Sequence, residues 1–273
     1  MPNLPSFIAS IFWGLLLLSV LVFIHEGGHF LAARACGVRV SEFFLGLPCR
    51  FRLAHRSRRC GTLFGITPLL LGGYAAICGM EHDDSPNASD VLREINRCGK
   101  ASVQEIAETL ALDSEEVLKA CIMLMSWGSI APVYEGDDNR SRAYYPETYA
   151  TVARDRMGNT VLDGKAFDKE HATTEGEPWS GNIGAAELFK QEKGRTYDGA
   201  SFPRRAFILL AGILVNIIAG MLLLMSVYSL IGFTVPQDIN RIGKVIESSP
   251  AAEAGIAAGD RILQIDNVEV NTW

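Results

Sequence analysis

The stretch Phe23-Ile24-His25-Glu26-Gly27-Gly28-His29-Phe30 ends a strongly apolar run, and that placement decides how the rest of the chain is read. Residues four apart share one face of a helix, so His25 and His29 can offer two imidazole nitrogens to a single Zn²⁺. Glu26 beside them is placed as a general base, taking a proton from a water made acidic by the metal and passing it to a leaving amine. The reaction implied by this HExxH pattern is amide hydrolysis. Two histidines and a glutamate at the end of a lipid-spanning run would be costly without such a role.

No side chain from Met1 to Ile24 is charged, and continued through the histidines to Ala33 the run is long enough to cross a bilayer. A second uncharged block, Ala206 to Phe233, is also long enough. The first block has no basic leader and carries the histidines at its boundary, so it reads as a retained helix, not a cleaved signal peptide. Basic residues then orient both spans. Arg34, Arg39, Arg50, Arg52, Arg56, Arg58 and Arg59 face a single acid, Glu42, which puts this stretch in the cytoplasm and the N-terminus outside. Arg204 and Arg205 precede the second block, which therefore runs outward and leaves residues from 235 on external. The net charge of −6 gives a nucleic-acid role no support. Cys36, Cys49, Cys60, Cys78, Cys98 and Cys121 show no CxxC spacing and read as free thiols.

With Ala33-Arg34 and Gly37-Val38 behind it, the HExxH segment resembles the first transmembrane helix of the site-2 proteases, zinc intramembrane metalloproteases that include RseP-like enzymes. Three later stretches agree in order. Ile66 to Tyr74, with Gly72-Gly73-Tyr74 at its end, is similar to the family's glycine-rich hairpin, which re-enters the membrane and holds substrate as an added strand. Phe202-Pro203-Arg204-Arg205-Ala206 with Ala211-Gly212 and Asn216 resembles the next helix, whose asparagine is implicated in holding substrate near the zinc. Ile242-Gly243, Pro250-Ala251, Ala254-Gly255, Gly259 to Ile262 and Ile265-Asp266 resemble the first half of a PDZ domain. Read alone, Gly72-Gly73 is equally a turn between apolar strands, and Asn216 an amide bridging two membrane helices.

A catalytic zinc normally takes three protein ligands. The resemblance implies that the third is an aspartate in a Leu-Asp-Gly motif on a helix after the PDZ region, past Trp273, and so a chain truncated at its C-terminus. Leu162-Asp163-Gly164 is a decoy: Arg154, Asp155, Arg156, Lys165, Asp168 and Lys169 around it are too polar for a membrane helix, and it reads as a surface turn. Glu81, His82, Asp83 and Asp84 read as a solvated boundary.

Residues 81–201 form an insertion of about 120 residues, too long for a plain loop. Helices are expected over 89–98 with Gly99 as stop, from a capping box at Ser102 and Glu105 to Leu112, and from Asp113 or Ser114 to Gly128. A hairpin of 130–134 and 142–145 follows. That order resembles a winged helix. Residues 88–146 nevertheless hold ten acids against six bases, which argues against binding DNA phosphates. A cytoplasmic protein partner suits the insert better.

The fold expected is an α-helical polytopic membrane core with a re-entrant β-hairpin, an inserted winged-helix-like α/β cytoplasmic domain and a partial, mostly β PDZ domain. Its segments are 1–34 (first span with the zinc motif), 35–80 (basic segment and hairpin), 81–201 (insertion, with 88–146 winged-helix-like and 147–201 a flexible tether), 202–234 (second span) and 235–273 (PDZ). The function implied is zinc-dependent cleavage of a membrane-spanning substrate in a bacterial inner or cell membrane, as in regulated proteolysis of an anti-sigma factor. His25 and His29 are the metal ligands, Glu26 the catalytic base, and Gly72, Gly73, Tyr74 and Asn216 the substrate-binding residues. The alternative is a catalytically incomplete membrane adaptor that binds partners through its insert and PDZ half.

Overall fold

A segment rich in Leu, Ile, Phe and Val makes α1 (Leu4–Ala35), whose 32 residues at 1.5 Å per residue reach about 48 Å, more than a bilayer's apolar core of about 30 Å. Phe7, Ile8, Phe12, Trp13 and Leu17 stand exposed along it, an arrangement that lipid accommodates and water penalises. The structure, a computed structural model, describes residues 4–81, 85–134, 145–232 and 240–270. The chain divides into two units, Met1–Gly220 and Met221–Trp273.

After α1 the first unit builds a four-stranded sheet from β1 (Val40–Leu45), β2 (Leu53–Arg56), β3 (Leu63–Ile66) and β4 (Gly73–Ile77), in the order β2-β3-β1-β4. β1 pairs parallel with β3 and antiparallel with β4. The expected hairpin over Ile66 to Tyr74 is therefore corrected: β3 and β4 do not pair, because β1, whose Phe43 and Phe44 are buried, takes the place between them. Residues 67–72 cross from one side of β1 to the other, and β4 is left as a sheet edge.

The insert supplies a second core. Its elements are α2 (Ala88–Cys98), β5 (Lys100–Ser102), α3 (Val103–Leu110), α4 (Ser114–Ser126), β6 (Ile130–Val133) and β7 (Thr148–Thr151), with a sheet ordered β5-β7-β6. Local chemistry sets the helix ends. α2 stops at Gly99, which takes a φ of +79° that side chains resist. Ser102 and Glu105 close a reciprocal capping box on α3, and Asp113 accepts from Glu115 N–H at the start of α4. α3 ends at Leu110, short of Leu112, as Ala111 turns left-handed. β6 pairs with Thr148–Thr151; the expected second strand of the hairpin, 142–145, lies outside the described residues except for Tyr145. Val91, Leu92, Ile95, Ile106, Val117, Leu124 and Tyr149 fill the core between them.

Residues 147–201 do not behave as a tether. They hold β7, a 3₁₀ turn (Val161–Ala166) and α5 (Ala185–Gly194), and they bury a charge cluster. Glu192, fully buried on α5, receives Arg39 at 2.6 Å, Arg154 at 2.9 Å and the Ser129 hydroxyl. Arg39 also holds Asp163, whose side chain is only 6% exposed, so the Leu-Asp-Gly string is a docked turn and not a surface one. Arg34, in the last turn of α1, donates to the Leu162 carbonyl beside it. Ion pairs withdrawn from water need this many partners to offset desolvation. They fasten the insert to the residues that follow α1.

A second long apolar helix, α6 (Phe202–Leu230), follows. It and α1 are both long and apolar enough to cross a membrane. The second unit also holds α7 (Pro250–Glu253), β8 (Gln264–Ile265) and β9 (Val268–Glu269), with β8 and β9 paired antiparallel.

Candidate active site

Helical spacing puts His25 and His29 on one face of α1, and their Nε2 atoms converge to 3.1 Å. Two nitrogens bound to one tetrahedral zinc at about 2.0–2.1 Å lie about 3.3 Å apart, so the pair has the separation that a shared ion requires. Aromatic packing holds this turn on the sheet. Phe23 and Phe30, on either side of the motif, meet Phe43 of β1 at ring distances of 5.0 and 5.1 Å.

The outer nitrogens of the two rings are engaged as well. His29 Nδ1 lies 2.7 Å from the Ile208 carbonyl of α6, an oxygen that can only accept. Nδ1 therefore carries the proton, which leaves the Nε2 lone pair for a metal. His25 Nδ1 lies 3.3 Å from the Asn216 side-chain amide, also on α6.

Such proximity requires α1 and α6 to cross closely, and glycines make it so. A Cβ on Gly28 would meet the Ala211 carbonyl oxygen at 2.7 Å. A Cβ on Gly212 would lie 2.6 Å from His29 Nε2 and 2.7 Å from His25 Nε2. Gly212 thus leaves open the space where both nitrogens converge, and the residues fit a metal ion there. Among the described residues no three His, Cys, Asp or Glu side chains form a metal-holding group. Asp163 is committed to Arg39, and His82 lies outside the described residues.

Glu26, about 100° around the helix from His25, faces β4, where its carboxylate accepts the Ala75 N–H at 3.2 Å. Tyr74 and Ala76 turn toward β1, so Ala75 belongs to the open edge of the sheet. The Tyr74 side chain stacks on Phe44 at 5.2 Å and its hydroxyl donates to Glu42 at 2.7 Å, while Gly72 and Gly73 precede it at the start of β4. The structure thus brings together His25, Glu26, His29 and Asn216, with β4 alongside. Sequence reasoning missed the Ile208 carbonyl and the Ala75 N–H, since backbone groups leave no residue signature. Ala211-Gly212 was visible as a motif, but its purpose as a helix crossing was not.

Peptidase family M50 matches residues 13–258. The chain is 25% identical over 261 residues to the protein named "Probable protease eep" of Enterococcus faecalis, covering 95% of this chain and 55% of that protein. It is 27% identical over 259 residues to zinc metalloprotease RasP of Shouchella clausii, covering 93% and 53%, and 24% identical over 264 residues to zinc metalloprotease RasP of Oceanobacillus iheyensis, covering 95% and 54%. The chain spans about half the length of these curated relatives. A match that takes in the HExxH turn, the sheet, the insert and both apolar helices establishes that this membrane protein belongs to peptidase family M50, the site-2 protease family.

Proposed function

We propose that the protein is a zinc-dependent intramembrane endopeptidase that cuts membrane-spanning substrates in regulated proteolysis, anti-sigma factors being the kind of substrate its family resemblance implies. The observation that carries this reading is the hydrogen bond between Glu26 and Ala75 N–H. It sets the proposed base one hydrogen bond away from an open strand edge.

His25 and His29 would hold the zinc, which when bound supplies Lewis acidity and lowers the pKa of a water toward neutrality. Glu26 would be the general base that takes a proton from the attacking water and the acid that passes it to the leaving amine. Gly73 and the Ala75 carbonyl offer main-chain groups along β4, to which an extended substrate segment adds as a further strand, with Gly72 and Tyr74 shaping the approach. Asn216 holds His25 through Nδ1 and stands close enough to the site to contact substrate as well. The basic segment, the sheet and the insert lie on the cytoplasmic side of a bacterial cell membrane, with the N-terminus and a PDZ-like second unit outside. The insert, winged-helix-like in its element order, meets a cytoplasmic protein and not nucleic acid.

Glu26→Gln keeps the size of the side chain and removes the base. Cleavage of a membrane-anchored reporter in cells should fall by about 10²–10⁴-fold, with the amount of protein in the membrane unchanged. Wild-type cleavage by that variant would instead support the adaptor reading.

A further inference from the structure

The seam between the four-stranded sheet and the insert is lined with cations. Residues 57–61, the turn between β2 and β3, pack on the 3₁₀ turn of the insert. A Cβ on Gly61 would meet Leu162 N at 2.8 Å, and one on Gly164 would meet Arg34 Nη2 at 2.8 Å and the Arg59 carbonyl oxygen at 3.3 Å. Lys169 Nζ donates to the Arg58 carbonyl at 2.6 Å. Arg58, Arg59, Lys165 and Lys169 are exposed, and among the described residues no carboxylate pairs with the Arg58, Arg59 or Lys165 side chain. Arg34 and Arg56 rest on the carbonyls of Leu162 and Gly61, which leave their charge uncompensated. Of the nearby acids, Asp163 is taken by Arg39 and Asp168 rests on His171 at 2.7 Å, so that only Glu170 stands against these cations.

The seam lies level with the ends of both long apolar helices. Arg34 is in the last turn of α1, and Ala32 and Ala33 pack with Ala200 and Ile208, so α6 begins at the same level, with Arg204 and Arg205 in its first turn. The opposite end of the sheet lies further along α1 toward its N-terminus, where the Ser19 hydroxyl stands 3.5 Å from the Gly72 carbonyl. At that end Leu53 and Ile66, paired across β2 and β3, are 78% and 42% exposed. Arg52 beside them rests on Glu42 at 3.3 Å, and Arg50, in the loop before β2, stands apart from the seam. β2 thus runs from an apolar end to a cationic one, the pattern of an element that crosses from acyl chains to the headgroups of a bilayer.

We propose that an anionic phospholipid, from the leaflet on the side of the insert, binds across this seam. Its headgroup phosphate takes charge-assisted hydrogen bonds from Arg58 and Arg59 on the sheet and from Lys165 and Lys169 on the insert. Leu31, one turn before Arg34 and 64% exposed, meets its acyl chains. A ligand held from both sides of a contact stabilises that contact, so anionic lipid tightens the docking of the insert at the end of α1. The site is independent of the proteolytic reading and needs only that the two apolar helices span a membrane.

The test uses the full chain in nanodiscs of phosphatidylcholine, alone or with one-third phosphatidylglycerol. It reads hydrogen exchange at the Gly61 and Asp163 amides, which bond to the Ser57 and Thr160 carbonyls on the two sides of the seam. Phosphatidylglycerol should slow both by about tenfold. That response should vanish in Arg58→Gln/Arg59→Gln and in Lys165→Gln/Lys169→Gln, each of which strips the exposed cations from one side. It should persist in Arg50→Gln/Arg93→Gln, which removes as much charge elsewhere. The proposal is overturned if phosphatidylglycerol leaves exchange in the native chain unchanged, if either seam variant responds as the native chain does, or if the control variant loses the response. It is also overturned if glycerol phosphate added to phosphatidylcholine nanodiscs slows exchange equally, since the ligand would then be a free phosphate.

Discussion

The Arg39 guanidinium meets the Asp163 carboxylate in a two-pronged contact, Nε to Oδ1 and Nη2 to Oδ2, each 2.7 Å. Arg39 lies four residues past α1, and Asp163 lies in the Leu-Asp-Gly string of the insert. The pair separates two uses of one motif. As a docking contact, Asp163→Asn should lower stability by about 3 kcal/mol by leaving Arg39 short of a charge partner. Zinc content, measured by mass spectrometry of the purified protein, should not change. A stoichiometric loss of zinc in a folded variant would make Asp163 a ligand.

Glu192 is the centre of the same cluster. Burial opposes its ionisation, yet Arg154 and Arg39 hold its carboxyl well below the usual carboxylate range. A depressed folded-state pKa means the stabilisation is complete above the unfolded carboxyl value of about 4.3 and is lost as pH falls below it. Melting temperature should therefore drop as pH is lowered beneath about 4, and Glu192→Gln should flatten that part of the profile. At neutral pH the variant should cost about 3–5 kcal/mol, since two buried guanidiniums lose their shared counter-ion.

Gly212→Ala drives a methyl into the place where the histidine nitrogens converge. Zinc affinity, read by competition with a chelating dye, should fall by at least about tenfold. Gly220, with open space around it on the same helix, is the control: Gly220→Ala should leave affinity as it was.

Asn216 can act on His25 or on substrate, and two variants tell these apart. Asn216 presents its Nδ2 to His25 Nδ1; Asn216→Asp puts a carboxylate oxygen in its place, which accepts an Nδ1–H and should keep zinc affinity. Asn216→Ala should lower it by about 10–100-fold. If zinc binding is unmoved in both and only KM rises, the residue serves substrate alone.

Ala75→Pro deletes the N–H that Glu26 accepts while leaving the β1 side of β4 untouched. Proline is tolerated on an outward edge, so the sheet should survive. Reporter cleavage should drop by about tenfold or more, with circular dichroism unchanged. Undiminished cleavage would show that this edge is not part of the machinery.

Much of the local structure was legible before any fold was known. The capping box at Ser102 and Glu105, the stop at Gly99 and the cap at Asp113 each depend on residues within one helical turn. Errors arose where a distant partner decided the outcome. Ile66 to Tyr74 looks like a hairpin because the glycines sit between apolar runs, but the parallel pairing of β1 with β3 cannot be inferred from turn residues. The composition of 147–201, rich in Gly, Glu, Lys and Thr, reads as a flexible tether. Arg154, Glu192 and Asp163 are instead buried as partners.

By itself, the sequence determined two apolar spans, a pair of imidazoles on one helical face with a carboxylate beside them, and the helices of the insert. Each rests on a period or a composition that repeats over neighbouring residues. The tertiary structure alone decided which edge of the sheet stays open next to Glu26, that Gly212 clears the space at His25 and His29, and that Arg39 fastens the insert to the end of α1. These are contacts between segments remote in sequence, fixed by packing and by the need of buried charges for partners, and neither leaves a local pattern in the chain.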